Sequence, residues 1–376
     1  MKKRKIYPTT LLLFGFIAVV TLADLVNPVR AFSEMENREL KTTSQFTLSR
    51  LFKGDFQSQY EKVVADQFVG RDEWITLKSM TESALLKTEN NGVIYGKNGA
   101  LFGKLTSYNE TQLDRNVGFL SQFAAAHDNI TVGIIPSSYT YSLNQLPAGS
   151  GQIDQLPIIS DIQQNLSSSV EWFDAAGLLA AQQSESLYYN TDHHWRGTTA
   201  YLAYSVLCEQ MGLEPISESE LTLREVEDFY GSYFSKCKKA GTQPDTLTFY
   251  DLPFPMAVTV DGVQKDGWYD AAQLDKRDKY GAFLYGNGGL TILSRVERQA
   301  KGAEGENSRL LLIKDSFSNA LAPLFLANFD EVYIVDLRSY PMGMTQLCEE
   351  TGFDEIVVLY NFENLESDTN FYRIIQ

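Results

Sequence analysis

Residues 188–204, "YYNTDHHWRGTTAYLAY", carry two of the three histidines of a 376-residue chain, side by side and directly after an aspartate. Histidine is the side chain best suited to take and return a proton near neutral pH. A neighbouring carboxylate can fix the tautomer and orientation of its ring. On an extended segment, residues two apart project to the same side; that pairs Asp192 with His194 and sends His193 to the opposite face. Such a base needs a hydroxyl to activate, since a serine is a weak nucleophile until its proton is taken. Ser316, in "RLLLIKDSFSNALAPLFLANF", fits that need. Leu310 to Ile313 read as a buried strand, and a helix is expected to begin within a residue or two of the serine. Ser316 then stands on a strand-to-helix turn at the carboxyl edge of the sheet, where open α/β sheets place ligands, near the positive end of a helix dipole. Taken alone, this segment reads first as Asp315 and Ser316 capping a helix; the histidine segment is what turns it toward chemistry. His127, in "FAAAHDN", falls near a helix end and suits a dipole or surface role. No metal site is expected, because adjacent histidines on a strand face apart and no further His or Cys cluster completes a zinc shell.

The elements that must hold these residues follow from periodicity. Helical patterns at about Thr111 to His127, Ile158 to Ser168 and Thr198 to Met211 alternate with apolar runs in "NITVGIIPSS" and "SVEWFD", and the rhythm resumes at "RLLLIKDSFSNA" and closes with "FDEIVVLYNF". Strands separated by helices imply an α/β fold with a mostly parallel sheet covered on both faces. Residues 217–278 break the rhythm with aromatic, Pro- and Gly-punctuated pieces and are read as a β-hairpin-rich insertion. In "NNGVIYGKNGALFGK", Asn98-Gly99 is a strong hairpin signal. The expected division is a basic tail and anchor over 1–26, a helical stalk packing on the domain over 27–90, and a catalytic domain over 91–376.

Composition narrows the partners. With 48 acidic against 32 basic residues the net charge is −16, which repels phosphate backbones, so no nucleic-acid partner is expected. Lys2, Lys3, Arg4 and Lys5 precede an apolar run from about Ile6 to Ala23 with no clean small-x-small cleavage site after it. It is read as an uncleaved signal anchor, with the body outside the cytoplasm under the positive-inside rule; a cleaved signal peptide is the alternative. Cysteines 208, 237 and 348 form neither a disulfide framework nor a CxxC pattern, and Cys208 is expected in the core.

The motifs "ENREL", "DQFVGRDEW", "NGVIYGKNGALF", "YYNTDHHW", "FYGSYFSK", "YGAFLYGNGGL", "LLLIKDSFSNA" and "VDLR" together resemble the bacterial DHHW family. "TDHHW" and "KDSFSNA" are also similar to the Asp-x-His-Trp and Gly-Asp-Ser-Phe-Ser motifs of the SGNH-like O-acetyltransferases of alginate acetylation. The resemblance implies an SGNH-like three-layer α/β/α domain in which Ser316 is the nucleophile, His194 the base and Asp192 its orienter. It implies transfer of an acetyl group to a cell-surface polysaccharide without a cofactor, with a membrane-bound O-acyltransferase as acyl supplier. A carbohydrate esterase with the same triad and a non-catalytic envelope assembly protein are the alternatives. Asn287, in "LYGNGGL", is either an oxyanion donor of the SGNH type or a turn asparagine. Arg338, in "VDLR", either binds an anionic sugar or carboxyl group or forms an ion pair. Asp315 joins these as a substrate or oxyanion candidate. Two positions depart from the alginate pattern: Lys314 stands in place of glycine, and His193 in place of a small residue. No carbohydrate-binding module follows, so the polysaccharide is expected to be held by the domain itself.

Overall fold

The computed structural model describes residues 7–166, 170–182, 186–296 and 307–376. Its contacts divide the chain into two compact units, one of residues 1–87 with Lys238–Gly241, the other of Thr88–Cys237 with Thr242–Gln376.

The first unit is helical. Its apolar helix, Pro8–Leu25, has a mean hydropathy of 1.9 and buries none of its residues. At 1.5 Å per residue its 18 residues reach roughly 27 Å, close to the hydrocarbon thickness of a bilayer. The basic residues read as its cytoplasmic flank lie outside the described residues. Three further helices follow, Leu48–Lys53, Asp55–Gln67 and Arg71–Ala84. The "ENREL" and "DQFVGRDEW" motifs meet through charge: Arg38 grips the buried Asp66 at 2.5 and 3.1 Å, and Arg71 reaches Glu36 at 2.5 Å. The Arg38 hydrogen bond holds the Asp66 carboxyl below the usual carboxylate range.

The second unit is built on one eight-stranded sheet. Its strands are β1 (Ile130–Ile135), β2 (Glu171–Phe173), β3 (Met256–Val260), β4 (Val263–Lys265), β5 (Leu290–Arg295), β6 (Arg309–Lys314), β7 (Glu331–Val335) and β8 (Glu355–Asn361), in the order β4-β3-β5-β7-β6-β8-β1-β2. The β7-β6-β8-β1-β2 pairings are parallel and the three on the β4 side are antiparallel. Along β6 the side chains alternate between two cores. Leu310 and Leu312 face one that includes Ala200, Ala203 and Leu207 of α3 (Gly197–Gln210). Leu311 and Ile313 face the other, with Leu120 of α1 (Glu110–Ala124) and Ile159 of α2 (Gln155–Asn165). Burial on both faces explains why these strands are continuous apolar runs. Cys208 is fully buried in the α3 core, as its sequence position led us to expect. All three cysteines are free thiols.

The Asn98-Gly99 signal is a hairpin turn with φ of 57° and 85°, joining antiparallel Val93–Tyr95 and Leu101–Gly103. The 217–278 region does not stand wholly apart from the sheet. Thr222–Phe229 and Asp245–Asp251 form a separate antiparallel ribbon, but β3 and β4 extend the main sheet, because Val258 and Val260 bury one face in the α3-side core.

Candidate active site

The "TDHHW" segment is a turn, not the extended strand assumed from sequence. Asp192 Oδ1 accepts the backbone N–H of His194 at 2.9 Å and its ring Nδ1–H at 2.5 Å. The carboxylate thus folds forward over its own backbone, as Asp does in Asx turns. The pairing expected from side-chain alternation is present, but a turn produces it. The same turn overturns the placement of His193, whose ring lies against His194 with centroids 3.8 Å apart, its Nδ1 3.6 Å from Asp192 Oδ1. With Nδ1–H given to Asp192, His194 Nε2 is an acceptor, and Ser316 Oγ lies 2.8 Å from it. The three side chains, 124 positions apart end to end, form one continuous hydrogen-bond chain among buried residues, Ser316 being the most open at 9%.

The serine sits immediately after β6, held by the turn itself. Asp315 Oδ1 accepts the Phe317 N–H at 3.0 Å, while Oδ2 takes the Asn361 N–H and the Asn364 amide, both at 2.7 Å. Asp315 thus caps the turn, and Ser316 Oγ lies beside His194 Nε2. The following segment is two 3-10 turns, Ser316–Ala320 and Ala322–Ala327, where a regular helix was expected. Pro323 has no N–H to pair with the Asn319 carbonyl, and its ring would crowd that carbonyl. The positive end of a long helix dipole is consequently not available at Ser316.

Residues that sequence reasoning missed complete the site. Gly231 and Ser232, from "FYGSYFSK", pack directly on Asp192. Ser232 N–H donates to Asp192 Oδ2 at 2.6 Å, and Ser232 Oγ contacts His193 Nδ1 at 2.6 Å. A Cβ on Gly231 would lie 2.2 Å from Asp192 Cβ, so only glycine fits. Tyr280 stacks on the face of His194 with centroids 3.7 Å apart and planes 5° off parallel, and its hydroxyl donates to the Ser316 carbonyl at 2.9 Å. One side chain thereby ties His194 to the turn that carries Ser316. Trp195 Nε1–H donates to the Phe317 carbonyl at 2.8 Å, a second tie between the two segments. The motif strings "FYGSYFSK" and "YGAFLYGNGGL" were the only sequence signal for Gly231, Ser232 and Tyr280, while Trp195 stands in "YYNTDHHW".

Burial alone would raise the Asp192 pKa, but the two imidazoles and the His194 and Ser232 hydrogen bonds pull it well below the carboxylate range. His193 is pushed down to about 4 from 6.5, chiefly by burial and then by the neighbouring His194. Its neutral form is therefore the one the fold prefers. Between pH 6.5 and 4 the unfolded chain takes up a proton that the native site resists, so this contribution to stability is present above 6.5 and lost as pH falls toward 4. Replacing His193 with Gln should flatten the wild-type decline in Tm across that window; an unchanged slope would remove His193 as its source. Asp192, His193 and His194 bring three ligand atoms within 4.8 Å of one another. In this structure His193 Nδ1 contacts Ser232 Oγ, and the two His194 ring nitrogens contact Asp192 and Ser316.

Of the other candidates, Arg338 takes the ion-pair alternative and His127 the helix-end position read for it. Asp315 has both oxygens hydrogen-bonded, to Phe317, Asn361 and Asn364, and burial raises its pKa. Arg338 closes its fork on the buried Asp336 at 2.8 and 2.6 Å, which is the ion-pair reading. Lys314, at the position that departs from the alginate pattern, is buried with Nζ 3.4 Å from both Asp336 and the Asn287 side-chain oxygen. Asn287 is exposed, and its oxygen also accepts from the Asn319 amide at 3.3 Å. His127 packs its ring on Phe123 just beyond the end of α1, away from this cluster.

Residues 124–335 match the model of a family described as DHHW protein. Among solved structures, a DHHW family protein from Eubacterium siraeum superposes with a TM-score of 0.62 at 20% identity, covering 76% of this chain and 95% of that one. Bacillus cereus PatB1 with a sulfonyl adduct gives a TM-score of 0.62 at 16% identity, covering 76% and 98%. The O-acetyltransferase domain of Pseudomonas putida AlgJ, at a TM-score of 0.46 and 14% identity over 74% of this chain and 93% of that one, is too loose a likeness to carry chemistry across. No curated protein matches the sequence.

Proposed function

This chain belongs to the DHHW family, and from that premise we propose that it transfers an acyl group, acetyl in the simplest case, to hydroxyls of a cell-surface polysaccharide from an N-terminal membrane anchor. The observation that carries the reading is the relay from Asp192 through His194 to Ser316, at 2.5 and 2.8 Å. Ser316 Oγ attacks the acyl carbonyl as its proton passes to His194 Nε2, and Asp192 stabilises the imidazolium that forms. Tyr280, stacked on that ring, adds an attraction between its π face and the cation. The backbone N–H of Ser316, which has no partner among the described residues, is the donor we assign to the oxyanion. Collapse of the intermediate returns the proton to the departing donor group and leaves an acyl ester on Oγ. An acceptor hydroxyl then gives its proton to His194, attacks the ester carbonyl, and departs acylated as Oγ regains the proton. Water in the acceptor's place gives hydrolysis with the same residues.

Acyl-CoA is absent outside the cytoplasm, so the donor is expected from a membrane-bound O-acyltransferase. The test is to incubate the detergent-solubilised full chain with an activated acetyl ester and look by mass spectrometry for an acetyl group on the peptide containing "LLLIKDSFSNALAPLF". Acetyl-CoA alone should leave that peptide unmodified. Absence of the adduct during measurable turnover of the ester would remove Ser316 from the mechanism. Adduct discharge onto an oligosaccharide rather than to free acetate separates transfer from hydrolysis.

The apolar helix Pro8–Leu25 supports an anchored, extracytoplasmic body. A reporter active only outside the cytoplasm, fused after Gln376, should be active, and protease added to wall-stripped cells should digest the body. A protected body would overturn the topology.

A further inference from the structure

Asn287 comes to the serine turn by way of the sheet. β5 runs antiparallel to β7, with Leu290 opposite Val335, so the residues just before β5 reach the carboxyl edge of the parallel strands. Asp336 follows β7 and Lys314 ends β6 at that same edge. There the Asn287 side-chain oxygen meets two donors, Lys314 Nζ at 3.4 Å and the Asn319 amide at 3.3 Å. Those donors flank Ser316, one before it in the chain and one after. Residues three apart lie on the same face of a 3-10 turn, which puts Asn319 on the side of Ser316 along Ser316–Ala320. Asn319 is 2% exposed, and its own oxygen has no partner among the described residues. The bond to Asn287 is thus the one side-chain hydrogen bond described for this buried amide, and losing it would leave a buried donor unsatisfied. Lys314 is likewise buried, shared between Asn287 and Asp336.

We propose that Asn287 is a positioning residue, an acceptor that clips both flanks of the Ser316 turn through Lys314 and Asn319. It does not touch the reacting atoms. The inference rests on the acyl-transfer reading, in which the Ser316 N–H faces the oxyanion while Oγ faces His194. Asp315 fixes the turn from the β8 side through Asn361 and Asn364. The Asn287 clip fixes it from the β7 side, so the turn is held at both edges. A donor held in place needs no rearrangement as charge develops on the oxyanion, so the clip acts on kcat rather than on KM. The atom at work is the Asn287 oxygen, and that separates a clip from an oxyanion donor, which would use the NH₂. A carboxylate at position 287 offers the same oxygen to Lys314 and Asn319 but no N–H to an oxyanion.

The detergent-solubilised full chain should be assayed as Asn287→Ala, Asn287→Asp and Lys314→Met with an activated acetyl ester. Methionine keeps an unbranched stem in the lysine's place, and Asp336 keeps both of its Arg338 side-chain hydrogen bonds. Asn287→Ala and Lys314→Met should each lower kcat by about tenfold or more, with KM within about twofold. The double variant should fall no more than about threefold below the worse single one, because both remove the same clip. Asn287→Asp should keep kcat within about threefold of wild type. In hydrogen exchange, the peptide "LLLIKDSFSNALAPLF" should exchange about threefold faster in Asn287→Ala and at the wild-type rate in Asn287→Asp. That readout needs no turnover, so a missing acyl adduct counts against the enzyme reading and unchanged exchange in Asn287→Ala counts against the clip. Should Lys314→Met fail to fold, Asn287→Ala against Asn287→Asp, at an exposed position, decides alone. A loss in Asn287→Asp as deep as in Asn287→Ala, single losses that multiply in the double variant, or full kcat in Asn287→Ala would overturn the inference.

Discussion

Ser316→Ala and His194→Ala should each lower turnover of an activated acetyl ester by about 10⁴-fold or more, and the double variant should fall no further than the worse single one. The reason is that the two side chains act as one unit. With the base gone, the Oγ proton has no acceptor at 2.8 Å; with the hydroxyl gone, no ester can form. The residual rate would come from oxyanion donors and binding alone. Single-turnover kinetics with the adduct followed by mass spectrometry gives both readouts. Losses that multiply in the double variant would mean that the groups contribute independently, and the relay would have to be abandoned.

Asp192→Asn should cost about 10⁴-fold in kcat, as expected when a triad histidine is left in the wrong tautomer. Asp192 Oδ1 accepts two N–H groups of His194, and Oδ2 accepts the Ser232 N–H. An asparagine has one acceptor oxygen, so either orientation sets its NH₂ against an N–H. With the NH₂ toward the ring, the imidazole relieves that conflict by moving its proton to Nε2, which can then no longer accept from Ser316. Gly231→Ala tests the same support without touching the relay's atoms. Its Cβ would fall 2.2 Å from Asp192 Cβ and 2.4 Å from Oδ2, forcing the carboxylate to shift. Overpacking of this kind costs about 1–3 kcal/mol, read as a lower Tm, and kcat should fall with KM little changed. A Gly231→Ala protein with full kcat would show that Asp192 is not held by this contact.

The sequence by itself determined most of the core strands and helices and singled out the histidine and serine segments. Two-sided burial made the β6 and β8 runs uniformly apolar, helical periodicity marked α1 and α3, and the Asn98-Gly99 turn required positive φ. Scarcity of histidine singled out one base, and a hydroxyl just after a core strand singled out Ser316. What a side chain does inside a turn was not legible. Asp192 folds onto the His194 backbone because a short carboxylate competes locally for N–H groups, and that brings His193 beside His194, whereas strand alternation would have parted them. Contacts between distant segments were decided by the tertiary structure alone. Tyr280 precedes Ser316 by 36 positions and Ser232 follows Asp192 by 40; no local period relates such pairs. The parallel register of β6 against β8, with Lys314 opposite Leu359, carries the turn to Asn361 and Asn364. That register is what turns Asp315 inward, and the buried Asp336 does the same for Arg338, because a buried carboxylate needs partners more than solvent does.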